Sequence, residues 1–90
     1  MTQLDPTKPK AHDRITMREV DEGLLVHDEH SGQVHVLNRA AGRVLSLCDG
    51  EHDAAQIARI LAAEANVDES RTANDVRAVL AQFQDLGLLS

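Results

Sequence analysis

The residues best suited to chemistry in this 90-residue chain are five histidines and one cysteine. His27, His30 and His35 bracket a short stretch that also holds Asp28 and Glu29, all donor types that a transition metal accepts. A metal site needs side chains that converge within ~2 Å of one point. Alternation along a strand sends neighbouring side chains to opposite faces, and no cysteine joins the cluster. The stretch therefore reads as polar hairpin residues, and no metal is expected. Cys48 is the one thiol. It falls on the apolar stripe of a helix, at the C-terminal end where the helix dipole opposes a thiolate, so it reads as a small buried hydrophobe. Asp49, Asp53 and Asp68 are turn and cap residues. No serine, histidine and acid set, glycine-rich phosphate loop or paired-carboxylate cleft is present, so no catalytic residue and no cofactor are expected.

The elements that carry these residues follow from apolar spacing. Ile15, Met17, Glu19 and Val20 predict a first strand, and Leu24, Leu25 and Val26 a second across a turn at Asp21, Glu22 and Gly23. After a turn at His30, Ser31, Gly32 and Gln33, the residues 34–37 predict a third strand. Connections this short permit only an antiparallel meander. At Asn38 the period changes from two to 3.6. Asn38 is an N-cap, Ala41, Val44, Leu45 and Cys48 form one stripe over a helix at about 39–48, and Asp49 with Gly50 supplies the stop. Asp53 and Gln56 form a capping-box start for a second helix carrying Ile57, Ile60, Leu61 and Ala65, which fades at Asn66. Asp68 or Ser70 opens a third, where Ala73, Val76, Leu80 and Phe83 recur at helical intervals and Val79 and Leu86 widen the stripe. Gly87 ends it, leaving Leu88 and Leu89 to fold back. The fold class is α+β and winged-helix-like, a three-stranded antiparallel sheet followed by three helices.

The length permits one domain with a thin aliphatic core, since Phe83 is the only aromatic. Residues 1–13 contain Pro6 and Pro9 without apolar periodicity and read as a flexible tail, leaving 14–90 as the domain. No apolar run reaches the ~18 residues of a membrane span, and the opening residues lack the form of a signal peptide. One cysteine agrees with a reducing compartment, so a cytoplasmic location is expected. The formal charge of −6 and the acidic start Asp68, Glu69 of the third helix disfavour nucleic acid.

The order of strand, Leu37-Asn38, apolar helix, Leu47-Cys48-Asp49-Gly50, capped helix, Asp75-Val76, Phe83 and terminal Leu86-Gly87-Leu88-Leu89 resembles the PqqD-like proteins, also called RiPP recognition elements. The resemblance covers the chain from about Ile15 to Ser90, and it lies in the order and spacing of the pieces. It implies a chaperone that binds the leader of a ribosomally synthesised precursor peptide and presents it to a modifying enzyme, such as a radical-SAM protein. It further implies that the leader adds as a strand along Gln33, Val34, His35, Val36 and Leu37, facing Val76, Arg77, Leu80 and Gln84 of the third helix. The segment Val26-His27-Asp28-Glu29-His30-Ser31-Gly32 departs from the aromatic-Pro-Glu-Gly form of members in the PQQ pathway, which leaves the precursor's identity open.

Edge strands offer unpaired backbone groups, and most bind nothing, so the edge alone does not define a site. Arg39, Arg43, Arg71 and Arg77 lie on helices flanking the implied groove, where they either steer an acidic leader or pair with Asp75 and Glu69. The alternatives are a winged-helix interaction or transcription-regulating module and an acidic structural subunit of an enzyme complex. An open edge strand also leaves a homodimer available.

Overall fold

The computed structural model describes residues 8–90 and contains the expected meander followed by the expected helices. β1 (Ile15–Val20), β2 (Gly23–Asp28) and β3 (Val34–Asn38) form an antiparallel sheet in the order β1-β2-β3, so β3 is an edge. α1 (Arg39–Ser46), α2 (Ala54–Ala65) and α3 (Glu69–Asp85) cover one face of it.

Each helix begins where its cap residue dictates. The Ala41 N–H donates to Asn38 Oδ1 at 2.8 Å. Asp53 and Gln56 exchange two bonds of 2.8 Å in a complete capping box. Asp68, rather than Ser70, opens α3, accepting from the Arg71 N–H. α3 ends in a Schellman motif: the Leu88 N–H donates to Phe83 O, the Gly87 N–H donates to Gln84 O, and Gly87 has φ +74°. That turn drives Leu88 into the core, where it is fully buried.

α1 ends sooner than the spacing predicts, at Ser46 rather than 48. The Leu47 N–H is shared between Arg43 O and Val44 O, and the Cys48 N–H returns to Leu45 O, so the last turn is wound too tightly to continue. Gly50 does adopt a positive φ of +82°, but it serves a different purpose. Its N–H donates to Pro9 O, joining the loop after α1 to the N-terminal segment.

That segment is the main departure from the sequence expectation. Residues 1–7 of the predicted tail lie outside the described residues. Over 9–12 the chain is held by its backbone: Lys10 bridges Asp49 and Ala11 bridges Leu89, with Ala11 N–H to Cys48 O and His12 N–H to Leu88 O, both at 2.8 Å. These bonds use main-chain groups, which leave no periodic mark in a sequence.

The core gathers Val26 from the sheet, Leu45 from α1, Ile57 from α2, and Val76, Phe83 and Leu88 from α3 and its end. α1 lies close on β2, and Gly42 is the point of approach. A Cβ there would stand 2.9 Å from the Leu24 Cβ.

Candidate functional site

Whether β3 can accept another strand depends on where its backbone groups point, and the β2–β3 turn fixes this. The Asp28 N–H donates to Gln33 O, so these partners form a hydrogen-bonded pair. Such pairs alternate along an antiparallel ladder. With Val26 opposite His35 and Leu24 opposite Leu37, the backbone groups of His35 and Leu37 face β2, while those of Val34 and Val36 face outward. The other side of β2 has the matching phase: the Glu29 N–H donates to Arg14 O, so Leu25 and His27 face β1. Among the described residues, the outer edge therefore offers the N–H and C=O of Val34 and Val36.

The side chains alternate as well. Val34 and Val36 are exposed, at 56 and 68 %, on the face away from the helices, where they stand opposite His27 and Leu25. His35 and Leu37 are half-buried on the helix face. The His35 Nε2 is buried without a hydrogen-bond partner. His27 and His35 thus lie on opposite faces of the sheet, and among the described residues no three metal-binding side chains converge. Asp28 is committed to structure. Its carboxylate accepts from Arg14 Nε at 3.1 Å and from the His30 and Ser31 N–H groups. Burial pushes its pKa up, but the two backbone donors and the Arg14 charge outweigh burial and hold it below the ordinary value.

α3 runs antiparallel to β3 across an open cleft. Arg14 binds both Asp28 and the Gly87 carbonyl, which places the end of α3 beside the start of β3. At the other end, Arg39 and Ala40, directly after β3, share a cavity with Thr72, Asp75, Val76 and Val79. No Cα of β3 comes within 8 Å of a Cα of α3. The cavity at the cleft's end measures about 450 Å³, and Val44, Leu61, Ala65 and Val67 make it largely apolar.

The implied helix-three residues do not share one face. With Val76 and Phe83 aimed at the core, a turn of 100° per residue puts Thr72 and Val79 on one flank and Ala73, Arg77 and Gln84 on the other. Val76 is 1 % exposed and belongs to the core, only edging the cavity. Arg77 lines a separate groove with Ala55, Ala58 and Arg59 of α2 and bonds Asn74. Leu80 packs half-buried against the core, and Gln84 is exposed. The cavity residues missed from sequence are Thr72, Asp75 and Val79 of α3 and Val67 before it. Their signal was the stripe broadened by Val79, together with an apolar Val67 that is 56 % exposed.

Of the arginines flanking the groove, Arg43 is neutralised by a two-pronged contact with Glu64, at 3.2 and 2.6 Å. That pairing raises the Arg43 pKa and lowers that of Glu64. Glu69 pairs with Arg59. Arg39 makes only a 3.4 Å bond to Asp21 O. Cys48 is 4 % exposed, and burial, helped by the Asp49 charge, pushes its thiol up to about 12. No helix among the described residues is long and apolar enough to cross a membrane.

A three-stranded meander in which β3 is an outer strand, followed by three helices, defines a winged-helix-like α+β domain. Residues 22–89 match the family model for Coenzyme PQQ synthesis protein D (PqqD), and the chain belongs to that family. Two solved structures share the fold. TbiB1 in complex with the TbiA(beta) leader peptide is 22 % identical, with a TM-score of 0.79 over 90 % of this chain and 94 % of that one. Lasso peptide synthetase B1 complexed with the leader peptide is also 22 % identical, with a TM-score of 0.79 over 92 % of this chain and 98 % of that one. No curated protein matches the chain.

Proposed function

We propose that this chain is a non-catalytic peptide chaperone. It binds the leader of a ribosomally synthesised precursor as a fourth strand on β3 and presents it to a modifying enzyme, such as a radical-SAM protein, in the cytoplasm. The observation that carries this reading is the phase of the edge: Val34 and Val36 turn their backbone groups outward, away from β2. Membership of the PqqD family and the leader peptides held by two proteins of the same fold support it. The binding unit is the domain of 14–90 together with the segment 9–12 that pairs with it.

Main-chain bonds to the edge supply affinity, and alternate side chains supply selectivity. Leader residues opposite Val34 and Val36 project to the outer face, and those opposite His35 and Leu37 project toward the helices. The Thr72, Asp75 and Val79 flank of α3, rather than Arg77 and Gln84, lines the cleft's apolar end. With the thiol of Cys48 enclosed, the chain works by holding and orienting.

The test uses the two prolines that the phase separates. Val36→Pro removes an outward donor and leaves the ladder intact, so circular dichroism stays near native. Its affinity for a synthetic leader peptide that the wild type binds falls at least about tenfold by titration calorimetry, which is ~1.4 kcal/mol. His35→Pro removes a bond to β2 and damages the fold. If Val36→Pro is folded and binds like the wild type, strand addition at β3 is wrong.

A further inference from the structure

We propose that Arg14 is the positioning residue of the leader site: its guanidinium, oriented by His12, sets how far α3 stands from β3. The inference rests on the leader reading above. Arg14 stands one residue before β1, and each of its three nitrogens serves a different part of the chain. Nε donates to Asp28 Oδ1 at 3.1 Å, at the end of β2. Nη1 meets His12 Nε2 at 2.9 Å in the N-terminal segment, and Nη2 donates to Gly87 O at 3.3 Å, just past α3.

The joint matters because little else ties α3 to the sheet. No Cα of any strand lies within 8 Å of a Cα of α2 or α3, so the two layers meet through α1 and through the buried side chains between them. The backbone pairing of residues 10–12 with 88–90 fastens the end of α3 to the segment that precedes β1. Arg14 fastens it to the sheet itself. Asp28 carries that hold into the turn before β3, since its carboxylate also accepts from the His30 and Ser31 N–H groups.

His12 orients the fork. A guanidinium has only donors, so the His12 Nε2 is the acceptor and the ring proton sits on Nδ1, which is buried without a hydrogen-bond partner. A buried N–H left unpaired is unfavourable, so the side-chain contact that holds the ring in this pose is the one at Nε2. Leader residues opposite His35 and Leu37 project toward the helices, and their fit depends on the separation that the fork sets. A lysine at position 14 keeps the charge beside Asp28 but has one nitrogen, which cannot span all three partners. Without the fork α3 samples other separations, and apparent affinity falls with the fraction of time that the fitting one is populated.

Pulsed electron paramagnetic resonance reads the separation directly. Spin labels at Val34→Cys and Gln84→Cys, both exposed positions, are placed in a Cys48→Ala background without peptide. The otherwise native chain is expected to give one narrow distance, and Arg14→Lys a broader or shifted distribution. His12→Leu is expected to act like Arg14→Lys, whereas His12→Gln, whose amide oxygen stands in for Nε2, keeps the narrow distance. In titration calorimetry with a synthetic leader peptide that the wild type binds, Arg14→Lys and His12→Leu, folded by circular dichroism, lose about fivefold in affinity and His12→Gln loses none. A merely stabilising contact would lower the thermal midpoint and leave distance and affinity unchanged, and that result overturns the proposal. So does a His12→Gln chain that behaves as His12→Leu does. If Arg14→Lys does not fold, the two His12 variants decide in the same way. The distance measurement contains no leader, so the fork can fail while strand addition at β3 stands, and the Val36→Pro test can fail while the distances hold.

Discussion

At the scale of single residues, the chain relies on a few side chains for most of its cohesion. Phe83 is the only aromatic and is 1 % exposed, packed with Val76 and Leu88. Phe83→Ala is expected to cost about 3 kcal/mol, lowering the thermal midpoint of so small a domain by roughly 12 °C or more. A midpoint that barely moves would place Phe83 outside the core. Asp28 works differently, as a polar hub between β1, the β2–β3 turn and, through Arg14, the end of α3. Its pKa is lower folded than unfolded, so its stabilisation is complete above the ordinary carboxylate value and fades as pH falls through the depressed one. Asp28→Asn is expected to melt below the wild type at neutral pH, with the gap narrowing under acid. A gap independent of pH down to about 3 would contradict the carboxylate's role.

At the scale of elements, caps and stops were legible because their signals are local. Asn38, Asp53 with Gln56, and Gly87 each act within four residues of their own position. The phase of β3 was not legible, because it depends on how the chain from Asp28 to Gln33 closes its turn. A change of one residue there would exchange the roles of His35 and Val36. The cleft-facing flank of α3 was equally hidden. Apolar spacing identifies the stripe of Val76 and Phe83, but both neighbouring flanks are mixed, and only the position of α1 tells Thr72 and Val79 from Arg77 and Gln84. Gly42 shows how close that position is. Alanine normally improves a helix by about 1 kcal/mol over glycine. Here the added Cβ meets the Leu24 Cβ at 2.9 Å, an atom with no torsional escape. Gly42→Ala is therefore expected to destabilise by roughly 1 to 3 kcal/mol in chemical denaturation. A stabilised variant would mean that α1 can ride higher on the sheet.

At the scale of the whole molecule, residues 9–12 meet the C-terminal turn and hold the helical layer in place. Residues 9–12 lie between the loop after α1 and the turn after α3: the Ala11 N–H reaches Cys48 O, the His12 N–H reaches Leu88 O, and the Gly50 and Ser90 N–H groups return to Pro9 O and Lys10 O. Cys48 and Leu88 are themselves core residues, so the carbonyls served by this segment belong to its deepest turns. Removing it strands those acceptors and opens the path by which Arg14 joins the end of α3 to the start of β3. Each net backbone bond contributes about 1 kcal/mol, and a stranded buried acceptor costs about 1 to 3 kcal/mol. Deleting residues 1–12 is therefore expected to lower the thermal midpoint by roughly 10 °C or more. Amide hydrogen exchange should accelerate first at Leu88 and Gly50 rather than in the β1–β2 ladder, because the loss begins where residues 9–12 join the C-terminal turn. A truncated chain with an unchanged midpoint and unchanged exchange at these amides would show that the helices and sheet hold their cleft without the N-terminal segment.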